Sequence, residues 1–149
     1  MKIYLAGSFA YDNPQTTAQR KAEIEQVAKI LQQKGFDVYT PHQFFVENAW
    51  SLSLEEWAQK VFDADVEQLN NCDVVVLLSY GKINNSGCIW ECGYCYAKGI
   101  KVVVVRMTNT TESLMVLGGA HAVLNGVEGL ETYDFATMPK IKCVVTSQS

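Results

Sequence analysis

The sequence has no excess of positive charge. Twelve lysines and arginines stand against sixteen aspartates and glutamates, a net charge of −4. Such a chain has no basic field with which to hold nucleic acid or an anionic membrane, and neither is expected as a partner. Long apolar runs are also missing. Neither Val74 to Leu78 nor Ile100 to Val105, the latter broken by Lys101, approaches the ~20 residues that span a bilayer. The apolar stretch within Met1 to Gly7 is too short for a secretory signal, so a cytoplasmic location is expected. No G-x-G-x-x-G follows the first predicted strand, where only Gly7 stands, and no Walker pattern lies between Tyr80 and Gly87. A dinucleotide or nucleoside triphosphate site therefore has little support. Internal repeats, linkers and low-complexity segments are absent too.

What is present describes one globular domain over residues 1–149. Its 48% apolar and 19% charged residues exclude a disordered chain, and its length supports a core without staples. The five cysteines, Cys72, Cys88, Cys92, Cys95 and Cys143, are odd in number, and without a secretory signal disulfides are not expected. Cys88, Cys92 and Cys95 fall at i, i+4 and i+7 of a predicted helix and share one face. A metal site there would need exposure and a fourth ligand. Cysteine more often fills core space as a small hydrophobe, so no metal and no cofactor is expected.

The patterning alternates strands with helices. Lys2 to Ala6 reads as a buried strand, followed by a loop from Gly7 to Thr17. A helix is predicted from Thr16 or Thr17 to Lys34, with Ala22, Ile24, Val27, Ala28 and Leu31 as its apolar stripe and Gly35 as its stop. Phe36 to Thr40 reads as the second strand, ended by Pro41. Leu54 to Asn70 reads as the second helix, opened by a Ser53–Glu56 capping box. Cys72 to Ser79 holds the run Val74 to Leu78, the signature of a strand covered on both faces. A third helix is predicted over Cys88 to Lys98, and a further buried strand over Ile100 to Val105. Beyond it the pattern weakens to a helical turn at Ser113 to Leu117 and a short strand at Leu130 to Tyr133. The class is α/β with a parallel sheet, in which ligands bind at the C-terminal ends of the strands.

The loops at those ends hold one carboxylate of particular interest. Glu91 is set among Ile89, Trp90, Cys92 and Tyr94, and glutamate is seldom buried without a reason. A glutamate in the first turns of a helix also complements the dipole while touching water, and the residues alone leave both readings open. Asp63 and Asp65 are two apart and face different sides of their helix, so at most one can share a site with Glu91. Asp73 reads as a strand-start or turn residue. Paired carboxylates at a strand end suit acid/base or nucleophilic work on a small polar substrate, glycosidic-bond chemistry being the standing example.

The residues then match a known pattern. Lys2-Ile3-Tyr4-Leu5-Ala6-Gly7-Ser8-Phe9 resembles the opening strand and loop of the nucleoside 2-deoxyribosyltransferase family. Ser86-Gly87-Cys88-Ile89-Trp90-Glu91-Cys92-Gly93-Tyr94 resembles its G-x-x-x-E-x-G nucleophile motif. Asp65 stands eight residues before Asp73, as a family aspartate does. Ser113-Leu114-Met115 resembles a family Asn-Leu-Met. His121-Ala122 and Tyr133 to Pro139 resemble the tail of the branch that uses both purines and pyrimidines. The resemblance implies a flavodoxin-like or Rossmann-like three-layer sandwich with a mainly parallel central sheet. It implies a dimer-based homo-oligomer, a hexamer being one such assembly, with sites completed across subunits. It implies transfer of 2-deoxyribose between nucleobases, with Glu91 as the nucleophile, Tyr4 orienting it and Asp65 contacting the substrate. Phe9 would stack on the base and Gln43 reach it. Gly7, Asn85, Ser86, Gly87, Ser113 and Met115 would line the substrate site. Trp57 and Trp90 are read as core residues, and His42 and His121 as structural or surface residues.

Two positions depart from the family pattern. Asn85 stands where the family has an aspartate six residues before the nucleophile, and an amide delivers no proton at neutral pH. Ser113 replaces an asparagine that reaches into a neighbouring subunit's site. These departures leave a hydrolase of nucleoside 5′-monophosphates as the alternative, since Lys82, Asn84, Asn85 and Ser86 suit a phosphate-holding loop. A non-catalytic nucleoside-binding module is a third reading, against which Glu91 and Tyr4 both count.

Overall fold

The computed structural model describes residues 1–8, 13–41, 44, 46–81, 85–110 and 112–142. Five parallel strands form one sheet: β1 (Lys2–Gly7), β2 (Asp37–Tyr39), β3 (Val74–Ser79), β4 (Lys101–Arg106) and β5 (Ala122–Asn125). Their spatial order is β2-β1-β3-β4-β5. The helices α1 (Pro14–Gln33), α2 (Leu54–Asn71), α3 (Ser86–Ala97), α4 (Leu114–Gly119) and α5 (Gly126–Thr132) complete the α/β arrangement.

Alternation along the strands divides the core into two clusters. Ile3, Leu5, Val74, Val76, Leu78, Val103 and Val105 pack with Ile24, Val27 and Leu31 of α1 and Leu130 of α5. On the opposite face Tyr4, Ala6, Val75, Leu77, Val102 and Val104 pack with Leu69 of α2, Cys88, Cys92 and Cys95 of α3 and Val116 of α4. Every residue of β3 is buried, as its unbroken apolar run predicts. Burying a side chain of this kind contributes about 1.5–3 kcal/mol, so the two clusters hold the three layers together. The cysteines of α3 fill core space, as their spacing predicts.

Several boundaries differ from the sequence reading. Helix α1 begins at Pro14 because Asn13 caps it, accepting from the backbone N–H of Gln15 at 2.8 Å, and proline suits a first helical turn. Helix α3 begins two residues early, at Ser86. The strand expected at Leu130 to Tyr133 is instead the end of α5, with Leu130 buried. The preceding β5, four residues long, lies in the stretch where the sequence pattern is weak. Asp73 is a turn residue that accepts from the Lys2 N–H at 2.7 Å. The segment after α5 closes the α1 side, where Phe135 packs on Phe36 and Tyr133.

The connections out of β1 and β3 run to opposite sides of β1, since β2 lies on one side and β4 on the other. This reversal opens a crevice beyond the C-terminal ends of β1 and β3. The loops and helix starts above it carry the candidate site.

Candidate active site

The site is built on the α2–α3 face of the sheet. Tyr4 of β1 is in parallel register with Tyr39 of β2, so both side chains project from the same face. Their rings lie 5.5 Å apart, tilted by 43°. The fully buried Tyr4 hydroxyl donates to Glu91 Oε2 of α3. The Tyr39 hydroxyl donates to Asp65 Oδ1 of α2 at 3.1 Å. Two neighbouring tyrosines thus hold two carboxyl groups from two different helices.

Burial dominates the electrostatics. It pushes the Glu91 carboxyl up to about 8, because leaving water disfavours the charged form. The Tyr4 hydrogen bond acts the other way, since a donor to the carboxylate favours ionisation. Asp65 is also raised by burial, an effect its Tyr39 bond opposes. Tyr39 itself is raised well above the ordinary tyrosine range by burial and by the Asp65 charge. Cys88, one turn before Glu91, lies 3.5 Å from Ser8 Oγ and is raised by burial.

Asp65 and Glu91 line one cavity of about 450 Å³, together with Leu54, Trp57, Phe62, Gly87 and Trp90. Trp57 is 48% exposed and Trp90 49%. This corrects the reading of both as core residues: they are half-open walls of the cavity beside Glu91. Trp90 packs edge-on against Phe62 at 5.4 Å and stacks on Tyr94 at the same separation, tilted by 11°. Asp63, by contrast, points away and accepts from Gln59 Nε2 at 2.7 Å.

Among the remaining predicted residues, Gly7 is packed under Ile24, whose Cδ1 would lie 3.1 Å from an added Cβ. Glycine there lets α1 approach the end of β1. Asn85 is engaged locally, donating from Nδ2 to the Gly81 carbonyl at 2.7 Å. Ser86 is exposed at the start of α3, and Gly87 lines the cavity. Ser113 caps α4, accepting from the Met115 N–H at 3.2 Å. Within one chain neither Ser113 nor Met115 joins Glu91. Met115 lines a separate apolar groove of about 520 Å³ with Ile89, Tyr96, Leu114 and Val116. Phe9, Gln43, His42, Lys82, Asn84 and Cys143 lie outside the described residues. His121 is structural, its Nε2 lying 2.8 Å from the Met138 carbonyl. Among the described residues no group of three or more histidines, cysteines, aspartates or glutamates could hold a metal, and no helix is long and apolar enough to cross a membrane.

A doubly wound sheet with a hydrogen-bonded carboxyl in an aromatic-walled crevice defines a class of small-molecule α/β proteins. A family model described as nucleoside 2-deoxyribosyltransferase matches residues 3–137. The chain belongs to that family, whose name describes glycosyl transfer. It is similar in structure to a 2-deoxyribosyltransferase from the psychrotolerant bacterium Bacillus psychrosaccharolyticus, with a TM-score of 0.82 and 26% identity over 97% of this chain and 100% of that one. A conserved protein from Enterococcus faecalis V583 shares the fold at a TM-score of 0.66 and 21% identity, over 87% of this chain and 94% of that one. No curated protein matches the chain.

Proposed function

We propose that the protein transfers 2-deoxyribose from one nucleobase to another by double displacement on Glu91. The observation that carries this reading is the Tyr4–Glu91 hydrogen bond beside an aromatic-walled cavity, within a chain of this family. The Glu91 carboxylate attacks C1′ and the bond from C1′ to the base nitrogen breaks, leaving a deoxyribosyl ester. An incoming base then attacks C1′ and frees Glu91, so the kinetics are ping-pong. A carboxylate suits this task because it stabilises oxocarbenium character and then leaves readily. Without a 2′-hydroxyl, positive charge at C1′ is easier to bear.

Tyr4 orients Glu91 in this scheme, and Asp65 supplies the proton to the departing base, a role that Asn85 cannot fill. Phe9 and Gln43 contact the base, and Trp57 and Trp90 wall the cavity. The protein works in the cytoplasm as a dimer-based oligomer. Leu114 and Met115, 82% and 83% exposed beside their apolar groove, support a partner copy that brings Ser113 and Met115 to the neighbouring site. Exposed apolar patches of this kind mark interaction surfaces.

The test is base exchange. Deoxyinosine or thymidine with free adenine or cytosine is expected to yield the exchanged deoxynucleoside. Absence of exchange at high enzyme concentration, with base released from deoxynucleoside 5′-monophosphates, would replace this reading with the hydrolase.

A further inference from the structure

Tyr39 belongs to the machinery although no motif contains it. We infer that Tyr39 is a positioning residue that acts through Asp65, fixing the carboxyl that meets the departing base; the inference rests on the function proposed above. Three observations place it there. Its hydroxyl donates to Asp65 Oδ1. Its ring packs on Tyr4, the donor to Glu91. Its backbone is in register with Tyr4, so the sheet sets the separation of the two hydroxyls.

The chemical consequence concerns the two oxygens of Asp65. Oδ1 is occupied by Tyr39, while Oδ2 has no hydrogen-bond partner among the described residues. Asp65 lines the same cavity as Glu91, so Oδ2 is the oxygen available to a base nitrogen. When the glycosidic bond breaks, the Asp65 proton passes to that nitrogen and the bond electrons stay with the base. The carboxylate left behind keeps the Tyr39 O–H donor, which favours its ionised form. Tyr39 thereby makes Asp65 a stronger acid than burial alone would allow. The titratable groups facing Asp65 are Tyr39 from β2, Tyr4 from β1 through the ring contact, and Glu91 and Cys88 from α3.

Tyr39→Phe tests the idea, because it keeps the ring contact and removes only the hydroxyl. The Asp65 carboxyl is titrated by NMR in the full-length wild type and in the variant. Exchange kinetics are measured for both, and for Tyr39→Phe in an Asp65→Asn background. The Asp65 pKa is expected to rise in Tyr39→Phe while that of Glu91 stays put. The kcat for exchange is expected to fall about tenfold, the effect of one lost bond to a charged group, with KM moving less. In the Asp65→Asn background the same substitution is expected to cost nothing further, because the two residues act as one unit. An unmoved Asp65 titration, or an equal loss in both backgrounds, overturns the inference. If the wild type exchanges no deoxyribose, the proposed function fails, and the titration still decides for or against Tyr39.

Discussion

Glu112 and Glu91 are both carboxyl groups drawn out of water around the same sheet, but their surroundings differ. Glu112, 2% exposed, receives Arg106 Nε at 3.2 Å and Ser79 Oγ at 2.6 Å. It ties the last residues of β3 and β4 to the segment that starts α4. Glu91 has no cation partner among the described residues, and its hydrogen bond comes from a neutral phenol. A buried carboxylate beside a guanidinium is committed to its ion pair. One beside a phenol and an open cavity keeps an oxygen for chemistry. The presence of a cation partner, more than depth of burial, separates the surroundings of Glu112 from those of Glu91.

Removing Glu91 is expected to have the largest effect. Glu91→Gln should lower exchange by roughly 10⁴-fold or more, as loss of a nucleophile does, while circular dichroism shows the fold retained. Near-normal exchange in that variant would strip Glu91 of its role and collapse the contrast. Glu112→Ala acts on the other side of the comparison. It should cost about 3–5 kcal/mol in urea unfolding by breaking the ion pair with Arg106 and removing the acceptor of the buried Ser79 hydroxyl, with any activity loss following from stability. Unchanged stability there would mean that the rim does not depend on its ion pair.

The pH dependence of Glu91 gives a finer test. The folded pKa of Glu91 lies near 8, above its ordinary value near 4.3. Between these values the folded chain binds the extra proton, so this group's contribution to stability falls as pH rises from about 4.3 to about 8. Thermal melts should show that decline in the wild type and less of it in Glu91→Gln. Exchange should rise over the same range as Glu91 ionises. A wild type and variant with parallel pH profiles would contradict the burial argument. The smallest effect is expected at Asn85. Asn85→Asp should raise transfer between nucleosides by restoring a carboxyl, and cost about 1 kcal/mol by losing the donor to Gly81 O. Lower transfer together with lower monophosphate binding would favour the phosphate-holding loop.

Much of this is legible in the sequence. The unbroken run from Val74 to Leu78 marked a strand covered on both faces, and Ser53 with Glu56 marked the start of α2 to the residue. Glu91 stood out as a charge among apolar neighbours. What was not legible depends on contacts between distant segments. Tyr39 sits in a three-residue strand, and its importance comes from register with Tyr4, which local sequence does not encode. Trp57 and Trp90 follow helical spacing whether they face a core or a half-open cavity, so periodicity alone misassigns them. Glu112 carries no periodic signal, and its burial depends on Arg106 and Ser79. Leu130 to Tyr133 has the composition of a short strand, but the buried Leu130 is satisfied equally well by a turn of helix.

Helix α3 rests on the sheet through three thiols, Cys88, Cys92 and Cys95, all buried. Burial raises Cys88 and pushes Cys92 up to about 12. Because the thiolate is the reactive form, an alkylating reagent meets these sulfurs only when α3 lifts from the sheet. The same lift would carry Glu91 away from Tyr4. The rate at which Cys88, Cys92 and Cys95 are labelled under native conditions is therefore a clock for local opening, timing how often Glu91 loses its Tyr4 partner without any substrate being present.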